Sequence, residues 1–105
     1  MDLDEALREL KRELEALYGD RLKGLYLFGS HARGDAEPDS DVDVAVVLDD
    51  VGSPVAEITK MSVIGARLSL AADKTIAKLP LSQSAWRHKD TVFMRNVRRD
   101  AVAIT

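Results

Sequence analysis

The run Asp41-Val42-Asp43-Val44-Ala45-Val46-Val47-Leu48 is compatible with few folds. Side chains two apart on a strand share a face, so Val42, Val44, Val46 and Leu48 line one side. Beyond Asp43, Ala45 and Val47 make the other side apolar as well. A strand buried on both faces belongs inside a sheet covered by helices. Its first residues are nevertheless two acids, Asp41 and Asp43, which stand on one face roughly 6 to 7 Å apart. At an effective dielectric near 20, two anions at that distance repel by about 2.5 kcal/mol. An isolated Asp-x-Asp usually caps a turn, but acids placed where a doubly buried strand surfaces are costly unless they are used. Magnesium would remove the cost, because it takes oxygen ligands and is commonly held by one or two carboxylates together with substrate phosphates. Asp41 and Asp43 are therefore candidate metal ligands and catalytic residues.

Upstream, the apolar run Leu25 to Phe28 ends at Gly29-Ser30. Gly29 permits a sharp turn or a close backbone approach. Ser30 is expected to cap a short helix starting near His31, its hydroxyl and the free amides behind it suiting a phosphate. Gly-Ser after a strand is by itself a weak signal. Arg33 adds to it, since arginine pairs with phosphate or with the acids themselves. Gly29, Ser30 and Arg33 are thus the candidate nucleotide-binding residues, and Asp35-Ala-Glu-Pro-Asp39 reads as a turn leading to the acidic strand.

The combined pattern Gly29-Ser30-x-Ala32-Arg33-Gly34, a short spacer, then Ser40-Asp41-x-Asp43-x-x-Val46, resembles the signature of the nucleotidyltransferases of the DNA polymerase beta superfamily. The likeness is to their minimal bacterial and archaeal branch, and it extends to the ending Phe93 to Ile104, so it covers nearly the whole chain. The resemblance implies a polymerase beta-like nucleotidyltransferase core in which Gly29 and Ser30 bind the triphosphate of ATP and Asp41 and Asp43 hold magnesium. Members of this branch often act beside a HEPN-domain toxin, as the antitoxin that attaches AMP to a toxin tyrosine. The resemblance thus implies a HEPN-type toxin as partner in a hetero-oligomer. One departure stands out: active members commonly supply a third carboxylate from a later strand, to serve as a base or second-metal ligand. Lys74-Thr-Ile-Ala-Lys-Leu-Pro-Leu81 contains no acid, and Asp73 lies just before it. Two other readings stay open: an antitoxin that neutralises its partner by masking, and transfer to a small molecule, for which no second binding domain is evident.

The chain of 105 residues has room for one core, so residues 1–105 are expected to form a single domain. A formal charge of -3 gives no reason to expect nucleic acid as a partner. The absence of cysteine excludes disulfides and thiolate metal sites. The charged N-terminus lacks a signal-peptide core and no apolar run is long enough to span a membrane, so a cytoplasmic location is expected.

Leu3, Leu7, Leu10, Leu14 and Leu17 predict an amphipathic helix from Asp2 to about Tyr18. Strands follow at Leu22–Phe28 and Val42–Leu48, a helix from Pro54 to about Ala71, and a strand at Lys74–Leu81 with Pro80 marking an edge or an end. A short capped helix is expected from Ser82, a last helix from Thr91 to about Asp100, and a short strand at Val102–Ile104. That order predicts an α/β fold, a small mixed sheet with packed helices. The first two strands could pair antiparallel or through a short crossover. The family resemblance implies the former, and the proposed site requires it. His31 and His88 read as surface residues. Trp86, Phe93, Met61 and Met94 read as packing, Asp49 and Asp50 as turn residues, and the cations Arg87, Lys89, Arg95, Arg98 and Arg99 as a solvated face.

Overall fold

Strand β2 (Val42–Leu48) lies inside the sheet, as its pattern requires. Its neighbours are β1 (Leu22–Phe28) and β3 (Ile76–Ser82), and β4 (Val102–Ala103) completes a four-stranded sheet in the order β3-β2-β1-β4. The computed structural model describes residues 1–105. The sheet is mixed: β1 runs antiparallel to β2 and β4, and β2 runs parallel to β3. The antiparallel pairing of β1 and β2 sets Phe28 opposite Asp43. The end of the first strand and the start of the second therefore meet.

Helix α1 (Leu3–Tyr18) starts at Asp2, whose carboxylate accepts from Glu5 N at 2.8 Å. It buries Ala6, Leu7, Leu10, Leu14 and Tyr18. The stripe ends on Tyr18, four residues after Leu14, and the expected Leu17 points to solvent. A 3-10 turn at Gly19–Arg21 leads into β1. Parallel strands need a crossover, which α3 (Pro54–Ala72) supplies between β2 and β3. Ser53 caps α3 by accepting from Ala56 N at 3.2 Å, Pro54 occupies the first turn, and Asp73 ends the helix in the left-handed region at φ 53°. Pro80 sits in β3, an outer strand with β2 as its one neighbour, where its missing donor costs no ladder bond.

Helices α1 and α3 cover one face of the sheet. Val42, Val44, Val46 and Leu48 are fully buried there among Leu7, Leu10, Leu14, Leu25, Met61 and Leu68. Burying an aliphatic side chain of that size contributes about 1.5 to 3 kcal/mol. Ala45 and Val47 are buried on the opposite face, where α4 (Gln83–His88) and α5 (Val92–Asp100) pack. Trp86 of α4 stacks on Tyr26 of β1 with ring centroids 4.5 Å apart, in keeping with its expected packing role. Phe93 departs from expectation. It is 56% exposed, because α5 buries Met94 and Val97 instead and turns Phe93 toward the open end of the sheet. No helix is long and apolar enough to cross a membrane.

Candidate active site

Strand β1 delivers the chain to Gly29, which adopts φ 75° and ψ -154°. That positive φ favours glycine, and so does the space around it. A Cβ at this position would collide with Oδ2 of Asp43, so the missing side chain is what lets the backbone lie against the carboxylate. Helix α2 (Ser30–Arg33) begins at once. Gly29, not Ser30, occupies the cap position, and its carbonyl accepts from Ala32 N at 3.1 Å and Arg33 N at 3.0 Å. Ser30 is the first helical residue, and its hydroxyl caps nothing. The expected cap is displaced because glycine reaches the required conformation one residue earlier, which leaves Ser30 among the residues that line the cleft, free of a capping task.

The loop from α2 to β2 is folded back on itself. His31 Nε2 lies 3.3 Å from the Ser40 carbonyl oxygen, the Glu37 amide donates to Ser40 Oγ at 2.9 Å, and Lys74 Nζ donates to the Pro38 carbonyl at 2.7 Å. His31 thus contributes a contact that steadies the approach to the acidic strand. Val42 N donates to Thr75 O at 2.8 Å, anchoring the strand's first residue to the segment before β3.

Gly29, Ser30, Arg33 and Asp43 line one open cleft of about 320 Å³ together with Phe28, Phe93, Asn96, Val97 and Asp100. Asp41 is exposed just before β2 and lies outside that lining, though close enough to act on Asp43. Partial burial raises the Asp43 carboxyl above the usual range, and the Asp41 charge raises it further, while His31 and Arg33 pull it back. Arg33 turns from the two aspartates to Asp100, reached from Nη1 at 3.0 Å, and to Asp35, reached from Nε at 3.2 Å. Arg99 and Arg33 hold the Asp100 carboxyl below the usual carboxylate range.

No group of three or more potential ligand side chains is placed to hold a metal by itself. Two carboxylates with an unneutralised repulsion suit a hard divalent cation that takes its remaining oxygens from water and phosphate, so the donor set fits magnesium carried with a nucleotide. The residue beside Asp43 on β3 is Ala77, on the same face. The later strand therefore contributes no third acid at this position. The α5 wall is not evident from the sequence, where Phe93 reads as a core residue and neither Asn96 nor Asp100 stands out. Their positions together with Val97 follow an i, i+3, i+4, i+7 spacing that puts all four on one helix face, but nothing local to α5 says that this face meets Gly29.

Residues 7–97 match the nucleotidyltransferase domain family. A Methanocaldococcus jannaschii protein named as a candidate protein adenylyltransferase is 34% identical over 79 residues, covering 75% of this chain and 79% of its own. The protein adenylyltransferase MntA of Thermococcus cleftensis is 35% identical over 72 residues, 69% of this chain and 71% of its own. A chain of the solved Shewanella oneidensis complex between a tri-AMPylated HEPN toxin and its MNT antitoxin has the same fold, with TM-score 0.54 at 20% identity over 94% of this chain and 71% of that one. With a strand-end glycine against a strand-start carboxylate and matches along most of its length, the chain belongs to the nucleotidyltransferase family, in its minimal protein-adenylyltransferase branch.

Proposed function

We propose that this cleft transfers AMP from magnesium-bound ATP to a tyrosine hydroxyl of a HEPN-type toxin and so acts as the antitoxin of a pair. The observation that carries the reading is the contact of Gly29 with Asp43, which joins a strand-end turn to an acid whose proton affinity is raised by burial and by Asp41. The AMPylated HEPN toxin in the Shewanella oneidensis complex supports the choice of acceptor. Asp41 and Asp43 would hold the cation, which when bound supplies neutralisation of phosphate charge. Gly29 allows the backbone close to the phosphates, and the Ser30 hydroxyl hydrogen-bonds to them. Arg33, held by Asp35 and Asp100, forms part of the cleft wall and would reach a phosphate only by exchanging one of these partners. The tyrosine oxygen bonds to the α-phosphorus, the bond from that phosphorus to the bridging oxygen breaks, and pyrophosphate leaves. With Ala77 beside Asp43, no third carboxylate of the sheet takes the hydroxyl proton, and it passes to water.

Mass spectrometry of the partner after incubation with this protein, ATP and magnesium tests the reading. Added AMP on a tyrosine, lost in the Asp41→Asn, Asp43→Asn double variant, is the expected result. An unmodified partner that is still neutralised by the double variant would reject transfer. That outcome would establish the second reading, inhibition by masking, which Ala77 in place of an acid favours.

A further inference from the structure

Of the α5 residues that line the cleft, Val97 is buried against the fold and Asp100 holds Arg33. Phe93 and Asn96 have no comparable structural task. Phe93 meets Phe28 edge to face, centroids 6.4 Å apart and planes at 86°, which fixes the ring while its outer face stays open. The chain has two phenylalanines, two tyrosines and one tryptophan, so leaving one of these rings 56% exposed at a cleft forgoes burial that a small core could use. Asn96 lies almost one turn further along the same helix face. It is exposed at the cleft, and its amide makes no hydrogen bond within the protein. A fixed aromatic plane beside an unpartnered amide offers a base a stacking surface together with one donor and one acceptor.

We propose that Phe93 and Asn96 form the nucleobase platform of this cleft and make it prefer adenine to guanine nucleotides. The proposal rests on the reading of Gly29, Ser30 and the aspartates as the triphosphate and metal end of the site. Asparagine pairs with adenine in a bidentate manner, accepting from the N6 amino group and donating to N7. Guanine presents two acceptors there, O6 and N7, so one half of the Asn96 amide loses its partner, and sites built on such a pair discriminate strongly. The ring of an acceptor tyrosine could also stack on Phe93, but its single hydroxyl, which the transfer itself uses, does not offer Asn96 the paired donor and acceptor of an adenine edge.

Calorimetry on the whole chain in magnesium, with non-hydrolysable ATP and GTP analogues and inorganic tripolyphosphate, tests this. Phe93→Ala is expected to weaken both analogues by about tenfold or more and to leave tripolyphosphate unchanged, and Phe93→Trp to restore them. Asn96→Leu is expected to abolish the preference for the ATP analogue. Both side chains are exposed, and an unchanged melting temperature identifies variants that remain folded. The proposal is overturned if wild-type protein binds tripolyphosphate as tightly as the ATP analogue. It is equally overturned if Phe93→Ala leaves the analogue's affinity intact and lowers transfer to the protein acceptor, which would place Phe93 on the acceptor side. Failure of all three triphosphates to bind would remove the phosphate site and the platform together, whereas retained tripolyphosphate binding confines the failure to the platform.

Discussion

Strand β2 has acids at both ends, and the two ends treat them in opposite ways. At the far end, Asp49 accepts from Arg21 Nε at 3.0 Å, and Glu57 accepts from Arg21 Nη2 at 2.9 Å with Lys60 Nζ at 3.1 Å. Glu57 is only 3% exposed, and its carboxyl is still held below the usual range, because the hydrogen bonds of Lys60 and Arg21 outweigh the burial that opposes them. Arg21 and the Asp50 amide hold Asp49 down in the same way. At the near end, Asp43 is pushed up by burial and by Asp41, while the nearest guanidinium is engaged by Asp35 and Asp100. One pair of acids is finished within the fold, and the other is left without a cationic partner of its own. That difference separates acids that stabilise the protein from acids available for chemistry.

Substitution at each end should sharpen the contrast. Asp43→Asn is expected to lower AMP transfer on the order of a thousandfold or more, through loss of a ligand that neutralises developing phosphate charge. It should leave the melting temperature unchanged or raised, since it removes one member of a repelling pair; transfer retained within tenfold would place the chemistry elsewhere. Ala77→Asp places an acid beside Asp43 and should raise turnover or cation affinity by about tenfold, measured as rate against magnesium concentration. No change in either would mean that β3 is not where the missing acid belongs. Arg21→Ala leaves Glu57 short of a partner and should lower the melting temperature by roughly 5 °C, with transfer per folded molecule unaltered. A loss of transfer at full folding would break the division of roles.

The pH response is the smallest effect, and its sign differs between the ends. Asp49 and Glu57 have lowered values in the folded state, so their stabilisation is present above the unfolded values and is lost as pH falls through the folded ones. Asp43 is raised, so the folded state favours its neutral form, and stability falls as pH climbs from the ordinary aspartate value through the raised one. Denaturation curves of Asp43→Asn against wild type should therefore diverge above that window, with the variant more stable, and converge below it. A gap of constant size at every pH would refute the assignment.

Much of the fold was legible in residues whose pattern is local. The double apolar face of β2, the leucine spacing of α1 and the Ser53-Pro54 start of α3 each mark their element without reference to the rest of the chain. The candidate acids and the Gly29 turn were legible for the same reason: acids at the mouth of a buried strand, and a glycine ending an apolar run, are anomalies visible within a few residues. What depended on three-dimensional neighbours was less accessible. Phe93 has the composition of a core residue, and the register of α5 against the sheet is what exposes it. Arg33 was open to several partners, and Asp100, far along the chain, competes for it. The cap fell one residue early because the contact with Asp43 demands glycine conformation at position 29, a demand that arises only when β1 and β2 pair.

The ion pair of Arg33 with Asp100 joins residues 67 apart in sequence. During synthesis, the turn, both aspartates and Arg33 emerge well before the α5 wall, which starts only at Val92. A nascent chain that ends before Val92 carries every residue of the Gly29 and Asp43 motifs and still has one side of its cleft missing. Completion of this site therefore waits for α5, and a chain without that helix has the signature without the enclosure.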